Sequence, residues 1–244
     1  MRTFDSESSL LRVIDTRTQE RLHVTRVGSE ETAFEWFQWA GNDKLLIGLS
    51  AQGSAYGMDI RYRRLVAWDL ASGESYHVGL RRMGILGDDV IHVADDGSEI
   101  LLAAQKRLDM LPEVYRIALE PNADAERVQK SHPGIWSWVA DDNGVVRLGL
   151  GRSGRKLKVR YRADEESSFK TIAKLGDDDE DARFWEVARI VSGTDRGYIL
   201  HEGEDGRIGL RAVDYATGEV GETCLLYTSP SPRDLSTSRM PSSA

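Results

Sequence analysis

The stretch AWDLASGE, residues 67–74, decides the fold, because close copies of it recur along the chain. The copies are VIDTRTQE at residues 13–20 and AVDYATGE at residues 212–219. In each copy an apolar run ends at an Asp whose carboxylate can accept hydrogen bonds from turn amides. A Gly or Gln before the Glu occupies the place where a positive φ would reverse the chain. The stretch therefore predicts a β-hairpin at each copy.

The copies belong to a repeat of about fifty residues. With weaker copies ending at Ala118 and Ala163, the Asp-equivalent positions are 15, 69, 118, 163 and 214, which are 54, 49, 45 and 51 residues apart. A second polar turn follows an apolar run near positions 40, 94, 140 and 192, at spacings of 54, 46 and 52 residues. Two interleaved signals with one period indicate a repeat protein.

Each repeat predicts four antiparallel strands joined by short turns. The runs at residues 44–49, 99–104 and 145–150 are apolar and rich in branched or small residues, as expected of strands buried on both faces. Stacked sheets of this kind are typical of a β-propeller. The sequence therefore predicts an all-β fold, a partial β-propeller of four to five four-stranded antiparallel blades over residues 1–223. A β-sandwich also has many short strands, but it does not explain the long repeat.

Composition excludes several classes of function. The chain of 244 residues is 40% hydrophobic and 30% charged, with a net charge of −8. An acidic surface does not favour phosphate backbones, so we expect no nucleic-acid partner. No apolar run is long enough to span a bilayer, so we expect no membrane partner.

Four segments resemble the propeller of prolyl oligopeptidase-like serine peptidases: FEWFQWAGNDKLL (34–46), LVAWD (65–69), PEVYRI (112–117) and GIWSWVADDNG (134–144). The resemblance extends over residues 10–223. It implies that an α/β-hydrolase domain follows the propeller, with a serine in a Gly-x-Ser-x-Gly elbow completed by an Asp and a His. It also implies that the propeller restricts access to that domain and admits short peptides rather than folded proteins.

The chain itself has no nucleophile elbow. Gln52 stands where the second Gly would follow Ser50, and Arg155 stands there after Ser153. We therefore expect the chain alone to be inactive and its parent to be a serine hydrolase, with the missing hydrolase domain and peptide substrates as partners. The alternatives are a stand-alone propeller that binds proteins and a propeller enzyme that acts on a sugar or metabolite.

Other candidate chemistry is weaker, and no catalytic, cofactor-binding or metal residue is assigned and no cofactor is expected. Ser153 with Lys156, and Ser167 with Lys170, fit a Ser-x-x-Lys spacing, but they lie among strands and turns rather than on a helix. The five histidines have no helical metal-ligand spacing: His23, His77, His92, His132 and His201.

The acidic run and the tryptophans also have ordinary explanations. Asp177–Asp181 could gather calcium, but the run lacks the ligand alternation and central Gly of an EF-hand, so a solvated loop is expected. On a regular strand Trp136 and Trp138 would share one face, whereas Trp36 and Trp39 would point to opposite faces. We therefore expect at least some of these rings to pack between blades, and core filling is favoured over stacking on ligands.

The segment 224–244 differs from the rest of the chain. It holds the one cysteine and three of the six prolines and shows no apolar period. Back-translation with suitable codons yields strings that resemble a transposase-type sequencing adapter and its continuation. We therefore expect a non-native, disordered tail, a natural gene cut near Thr223, and a Met1 that is an internal methionine of a longer protein.

Overall fold

A computed structural model describes residues 3–5, 8–29, 31–176, 186–202 and 207–226, and these residues form nineteen β-strands and no helix. The strands are β1 Thr3–Asp5, β2 Ser8–Ile14, β3 Arg21–Val27, β4 Thr32–Ala40, β5 Lys44–Ala55, β6 Met58–Asp69, β7 Ser75–Val78, β8 Asp89–Val93, β9 Glu99–Ala104, β10 Glu113–Ala118, β11 Ala125–Gln129, β12 Ile135–Ala140, β13 Val146–Ser153, β14 Lys156–Tyr161, β15 Lys170–Leu175, β16 Glu186–Ile190, β17 Arg196–Glu202, β18 Ile208–Asp214 and β19 Glu219–Leu226.

The strands form five antiparallel sheets, which confirms the predicted blades. Four sheets contain four strands each in sequence order, β4 to β7, β8 to β11, β12 to β15 and β16 to β19. The first sheet contains β1, β2 and β3. In the second and fifth sheets the Asp turn joins the third strand to the fourth. The same turn joins β2 to β3, so the described strands of the first sheet correspond to the last three of a blade.

The Asp turns have the predicted chemistry. The carboxylate of Asp69 accepts hydrogen bonds from the backbone N–H groups of Ala71 and Ser72, both at 2.9 Å. Gly73 has a φ of 77° and donates its N–H to the Asp69 carbonyl. The turns at Asp15 and Asp214 repeat these bonds. In the Asp15 turn Gln19 occupies the position of Gly73 and also has a positive φ, of 61°.

The core lies between consecutive sheets. Alternate residues of β5 point in opposite directions: Leu45 and Ile47 pack against the first sheet, whereas Leu46 packs against the third. Two further apolar clusters lie between the third and fourth sheets and between the fourth and fifth. Since each buried leucine contributes about 1.5–3 kcal/mol, these interfaces stabilise the stack of blades. The prediction that the second strands are buried on both faces is confirmed.

The first strand of each four-stranded sheet is irregular. We call β4, β8, β12 and β16 the first strands. Each contains a β-bulge against its neighbour, at Glu35, Ile91, Trp136 and Ala188. Contacts between β8 and β12 bring the first strands of the third and fourth sheets side by side at one edge of the stack. A bulge increases local twist and redirects a side chain, so side chains on this edge do not follow simple alternation.

Two predicted segments fall wholly or largely outside the described residues. The acidic run 177–181 lies outside them, as do residues 227–244 of the expected tail. β19 continues through position 223 and ends at Leu226, whose register partner is Gly209. In the part of the chain that the structure describes, no helix is long and apolar enough to cross a bilayer.

Candidate functional site

Aromatic side chains are exposed on the first strands. Phe37 and Trp39 of β4 are 48% and 46% exposed, and Trp136 of β12 is 55% exposed. Trp138 is only 2% exposed, as core filling requires. Trp136 differs from Trp138 because the bulge between Ile135 and Ser137 removes it from the regular alternation. The expectation that at least some of these rings pack in the core is confirmed by Trp138, whereas Trp39 and Trp136 are exposed.

Trp36 connects the second sheet to the third. Its ring lies against Gly48, where an added Cβ would come within 2.3 Å of the indole nitrogen. That nitrogen donates a hydrogen bond to the Asp88 carboxylate at 2.9 Å. Gly149 receives the ring of Trp138 in the same way. A glycine on the second strand thus makes room for a tryptophan on the first.

Asp88 is the centre of a cleft between the second and third sheets. Its side chain is 1% exposed and forms an ion pair with the Arg63 guanidinium at 2.9 Å. The cleft has a volume of about 370 Å³, within the range of small-ligand sites. Its lining combines aromatic, amide, apolar and charged side chains: Trp36, Gln38, Arg63, Leu86, Asp88, Asp89 and Val90.

The two carboxyl groups of the cleft have raised pKa values. Burial raises the pKa of Asp88, although the hydrogen bond from Trp36 and the charge of Arg63 oppose the rise. The pKa of Asp89 is raised to about 6, first by loss of solvation and then by the negative charge of Asp88, with Arg63 opposing. Asp89 is nevertheless an exposed residue. The cleft therefore holds two carboxyl groups that protonate more readily than a free Asp side chain.

The loop between β7 and β8 forms one wall of the cleft and is held by side chains. The Arg64 guanidinium donates to the backbone carbonyl of Gly84 at 3.0 Å. The Gln105 side-chain oxygen accepts the N–H groups of Ile85 and Leu86, each at 3.2 Å. These bonds fix the backbone that leads into Asp88, so the cleft is formed without a ligand.

None of the predicted serine candidates lines this cleft. Ser50 is buried in β5, and its hydroxyl donates to the Glu35 carboxylate. Ser153 and Lys156 are register partners that close the β13–β14 hairpin. Ser167 lies in the loop before β15, and its N–H is bound by Asp164 at 2.6 Å. None of these serines has the sharp strand-to-helix turn of a nucleophile elbow.

The histidines are also dispersed. His23 lies in β3, His77 in β7, His92 in β8 and His201 in β17, while His132 precedes β12 and contacts Arg160. Across the described ranges, no three His, Cys, Asp or Glu residues come together to hold a metal ion.

A buried arginine links the fourth sheet to the fifth. Arg147 is 2% exposed and binds Asp141 at 2.9 Å, the Thr194 carbonyl at 2.8 Å and the Tyr161 hydroxyl. Burial disfavours its charge, but the hydrogen bonds to Asp141 and Tyr161 leave its pKa raised. Tyr161 in turn donates to Asp195, and burial followed by this bond raises its pKa to about 12.

Neither charged centre is predicted from the sequence. Arg147 occupies a core position of a strand, and Asp88 lies 25 residues from Arg63 and 52 from Trp36. The sequence does contain a signal for Arg147, because a single Arg among the apolar residues of VVRLGL (145–150) is unusual for a buried strand. No local pattern brings Asp88 to Arg63. The Arg147 cluster is satisfied within the protein, so the cleft at Asp88 is the better candidate for a ligand.

Comparisons with solved structures support the fold. The chain is similar to the β-propeller domain of the Trilobed protease from Pyrococcus furiosus, with a TM-score of 0.52 and 14% identity over 92% of this chain and 64% of that one. It is similar to Porphyromonas gingivalis dipeptidyl peptidase 4, with a TM-score of 0.51 and 12% identity over 93% of this chain and 39% of that one.

A third similar structure is TolB from Acinetobacter baumannii, with a TM-score of 0.49 and 14% identity over 91% of this chain and 52% of that one. The chain therefore spans less than two thirds of the length of each of these three proteins. No family model and no curated protein matches the chain. At these identities the likeness to the first two structures establishes the architecture, a set of β-propeller blades.

Proposed function

We propose that this chain is the propeller portion of a prolyl oligopeptidase-like serine peptidase and that it restricts which substrates reach an α/β-hydrolase domain of the same parent protein. The observation that carries the proposal is the fold likeness to the Trilobed protease propeller over 92% of the chain. The dipeptidyl peptidase 4 structure adds support of the same kind.

The edge of the blades that carries the first strands suits short, extended peptides. Phe37 and Trp39 on β4 and Trp136 on β12 offer exposed aromatic surface on first strands. The cleft at Asp88, which Trp36 and Gln38 of β4 line, adds carboxyl and amide groups next to the aromatic residues of β4. Aromatic rings with a few polar groups bind peptide side chains and backbone together. In this proposal the blades select and orient the peptide, and the hydrolase domain cleaves it.

A gene read through both ends of the sequence tests the proposal first. We expect native sequence to replace residues 224–244, and we expect a downstream domain with a Gly-x-Ser-x-Gly elbow. A stop codon soon after position 223 would instead support a stand-alone scaffold, which the exposed aromatic side chains also suit.

Activity tests the proposal second. A fluorophosphonate should label the complete protein at the elbow serine. The complete protein should also cleave short peptides faster than a folded protein that contains the same peptide sequences. Replacing both Phe37 and Trp39 with Ala should raise KM for peptides while leaving fluorophosphonate labelling unchanged. A complete protein that is labelled but cleaves folded proteins equally well would contradict the gating role.

A further inference from the structure

The two longest strands extend beyond their sheet as a two-stranded ribbon. β5 and β6 have twelve residues each and pair along their whole length. β4 accompanies β5 only as far as Ala51, and β7 accompanies β6 only from Leu65 onward. Residues 52–61, which we call the ribbon, therefore pair only with each other among the described strands. The ribbon turns at Tyr56 and Gly57, whose φ angles of 53° and 74° indicate a type I′ turn.

The ribbon has two different faces. Register pairs place Gly53 opposite Ile60 and Ala55 opposite Met58 on the apolar face. Gln52 pairs with Arg61, and Ser54 pairs with Asp59, on the polar face. Tyr56 at the tip is 82% exposed and Met58 is 61% exposed. An isolated two-stranded ribbon with exposed apolar groups is marginally stable, so a partner strand would stabilise it.

The free edge of β6 presents backbone groups for pairing. The residues that flank a two-residue turn form a hydrogen-bonded pair, which here is Ala55 and Met58. From this pair onward, non-hydrogen-bonded and hydrogen-bonded pairs alternate along the ribbon. Asp59, Arg61 and Arg63 then direct their N–H and C=O groups away from β5. The bond from the Arg63 N–H to the Ile85 carbonyl, at 2.8 Å, agrees with this direction. Within the described residues, no such outward backbone bond involves Asp59 or Arg61.

The edge is complementary to itself. If two β6 strands meet antiparallel about a two-fold axis at Ile60, the Asp59 of each copy lies opposite the Arg61 of the other. The same register places Met58 opposite Tyr62 and Ile60 opposite its own copy. Each charge meets its opposite and each apolar group meets an apolar group. In the described structure Asp59 has no ion pair, and Arg61 has one exposed contact with Glu35 at 3.4 Å.

We propose that the ribbon is a self-association site, at which two copies of this chain join their β6 strands into one continuous antiparallel sheet. Four backbone hydrogen bonds connect the copies, two on each side of Ile60, and the Asp59–Arg61 pairs fix the register. Unprotected strand edges are well suited to such β-augmentation. This proposal does not depend on the peptidase assignment.

Charge reversal tests the register in the full chain. Sedimentation over a concentration series should resolve a dimer whose fraction rises with the concentration of the chain. Arg61→Asp turns two attractive pairs into two repulsive ones and should weaken the dimer about tenfold or more. Asp59→Arg combined with Arg61→Asp exchanges the charges and should restore the dimer. Arg152→Asp, an equally exposed change in the β13–β14 hairpin, should leave it unchanged.

Cross-linking tests the geometry. In a Cys224→Ser background, Ile60→Cys places two thiols opposite each other at the two-fold axis and should give a disulfide-linked dimer on oxidation. Tyr56→Cys should give no disulfide-linked dimer, because in this register position 56 lies opposite position 64 of the other copy. Circular dichroism confirms that each variant is folded. A chain that stays monomeric, a double reversal that fails to restore the dimer, or equal cross-linking at positions 56 and 60 would overturn the proposal.

Discussion

Arg147 is a charge that the fold holds only together with its buried partners. Replacing it with Met would leave the Asp141 carboxylate, 3% exposed, without its counter-ion. Breaking a buried pair from one side typically costs about 3–5 kcal/mol, so we expect Arg147→Met to lower the free energy of unfolding by about that amount. Urea denaturation measures the change.

An exposed ion pair nearby is the control for this prediction. Arg189 binds Asp142 at 2.9 Å, but its side chain is 61% exposed. Exposed pairs contribute about 0–1 kcal/mol, so Arg189→Met should cost less than about 1 kcal/mol. Equal losses in the two variants would show that burial of Arg147 has no special effect.

Asp89 makes stability depend on pH in the direction opposite to most carboxylates. Burial and the charge of Asp88 raise its folded pKa to about 6, whereas an unfolded Asp titrates near about 3.9. Between these values the folded state binds more protons, so stability falls as pH rises from about 4 to about 6. Since Asp89 is exposed and solvent screens its interactions, we expect Asp89→Asn to stabilise the protein by only about 1 kcal/mol at pH 7.5 and not at pH 4.

Asp96 provides the comparison of opposite sign, with thermal unfolding at the two pH values as the measurement. Hydrogen bonds from the Ser98 side chain and backbone lower the pKa of Asp96. Its contribution is present above the unfolded pKa and is lost as pH falls. Asp96→Asn should therefore destabilise the protein at pH 7.5 and have less effect in acid. A stabilising effect of Asp89→Asn that is the same at both pH values would contradict a raised pKa.

Among the elements, the Asp turn depends on one left-handed residue. Gly73 has a φ of 77°, and an added Cβ would meet nothing within 4 Å, so the cost of Gly73→Ala is conformational rather than steric. We expect a loss of about 1–2 kcal/mol in urea denaturation. Gly73→Asn should cost less, because Asn tolerates this conformation and Gln19 adopts it in the first turn.

Gly221 is the control for this substitution. It lies in β19 outside the left-handed region, and an added Cβ would meet the Ala212 carbonyl oxygen at an ordinary 3.5 Å. Gly221→Ala should therefore be neutral or slightly stabilising. If Gly73→Ala were equally harmless, the positive φ would not explain why Gly occupies this turn.

These turns also show which elements the sequence could predict. The side chain of Asp69 and the φ of Gly73 act within five residues, so AWDLASGE determines its own hairpin. Repetition then predicted the number of blades, because each sheet forms from consecutive strands. Burial of the runs at 44–49 and 99–104 followed from their composition.

The bulges and the cleft escaped prediction for the opposite reason. The bulge at Trp136 arises from its pairing with β13 and leaves no mark in the order of residues on β12. In the sequence Asp88 resembles an ordinary loop residue. Only the packing of the third sheet on the second brings Trp36 and Arg63 into contact with it. Contacts between blades combine residues from different repeats, and one repeat does not specify them.

At the scale of the whole molecule, the two end sheets each have one face without a described neighbour. On the first sheet Ile14, Leu22 and Val24 are 38%, 54% and 43% exposed. On the fifth sheet Ile208 is 45% exposed, and a groove of about 750 Å³ lies across the strands. Exposed apolar surface promotes association and binds apolar dyes.

We therefore expect the chain to bind the dye ANS in its folded state and to form polydisperse assemblies in addition to any ribbon dimer. Replacing Leu22 with Ser and Val24 with Thr removes apolar surface from the first sheet and should lower both dye fluorescence and light scattering by roughly half, since one of two end faces is changed. Arg61→Asp is the control: it should change the dimer without changing dye binding. A monodisperse chain that binds no dye and melts cooperatively would contradict this prediction, because it would show that the end sheets are covered in solution.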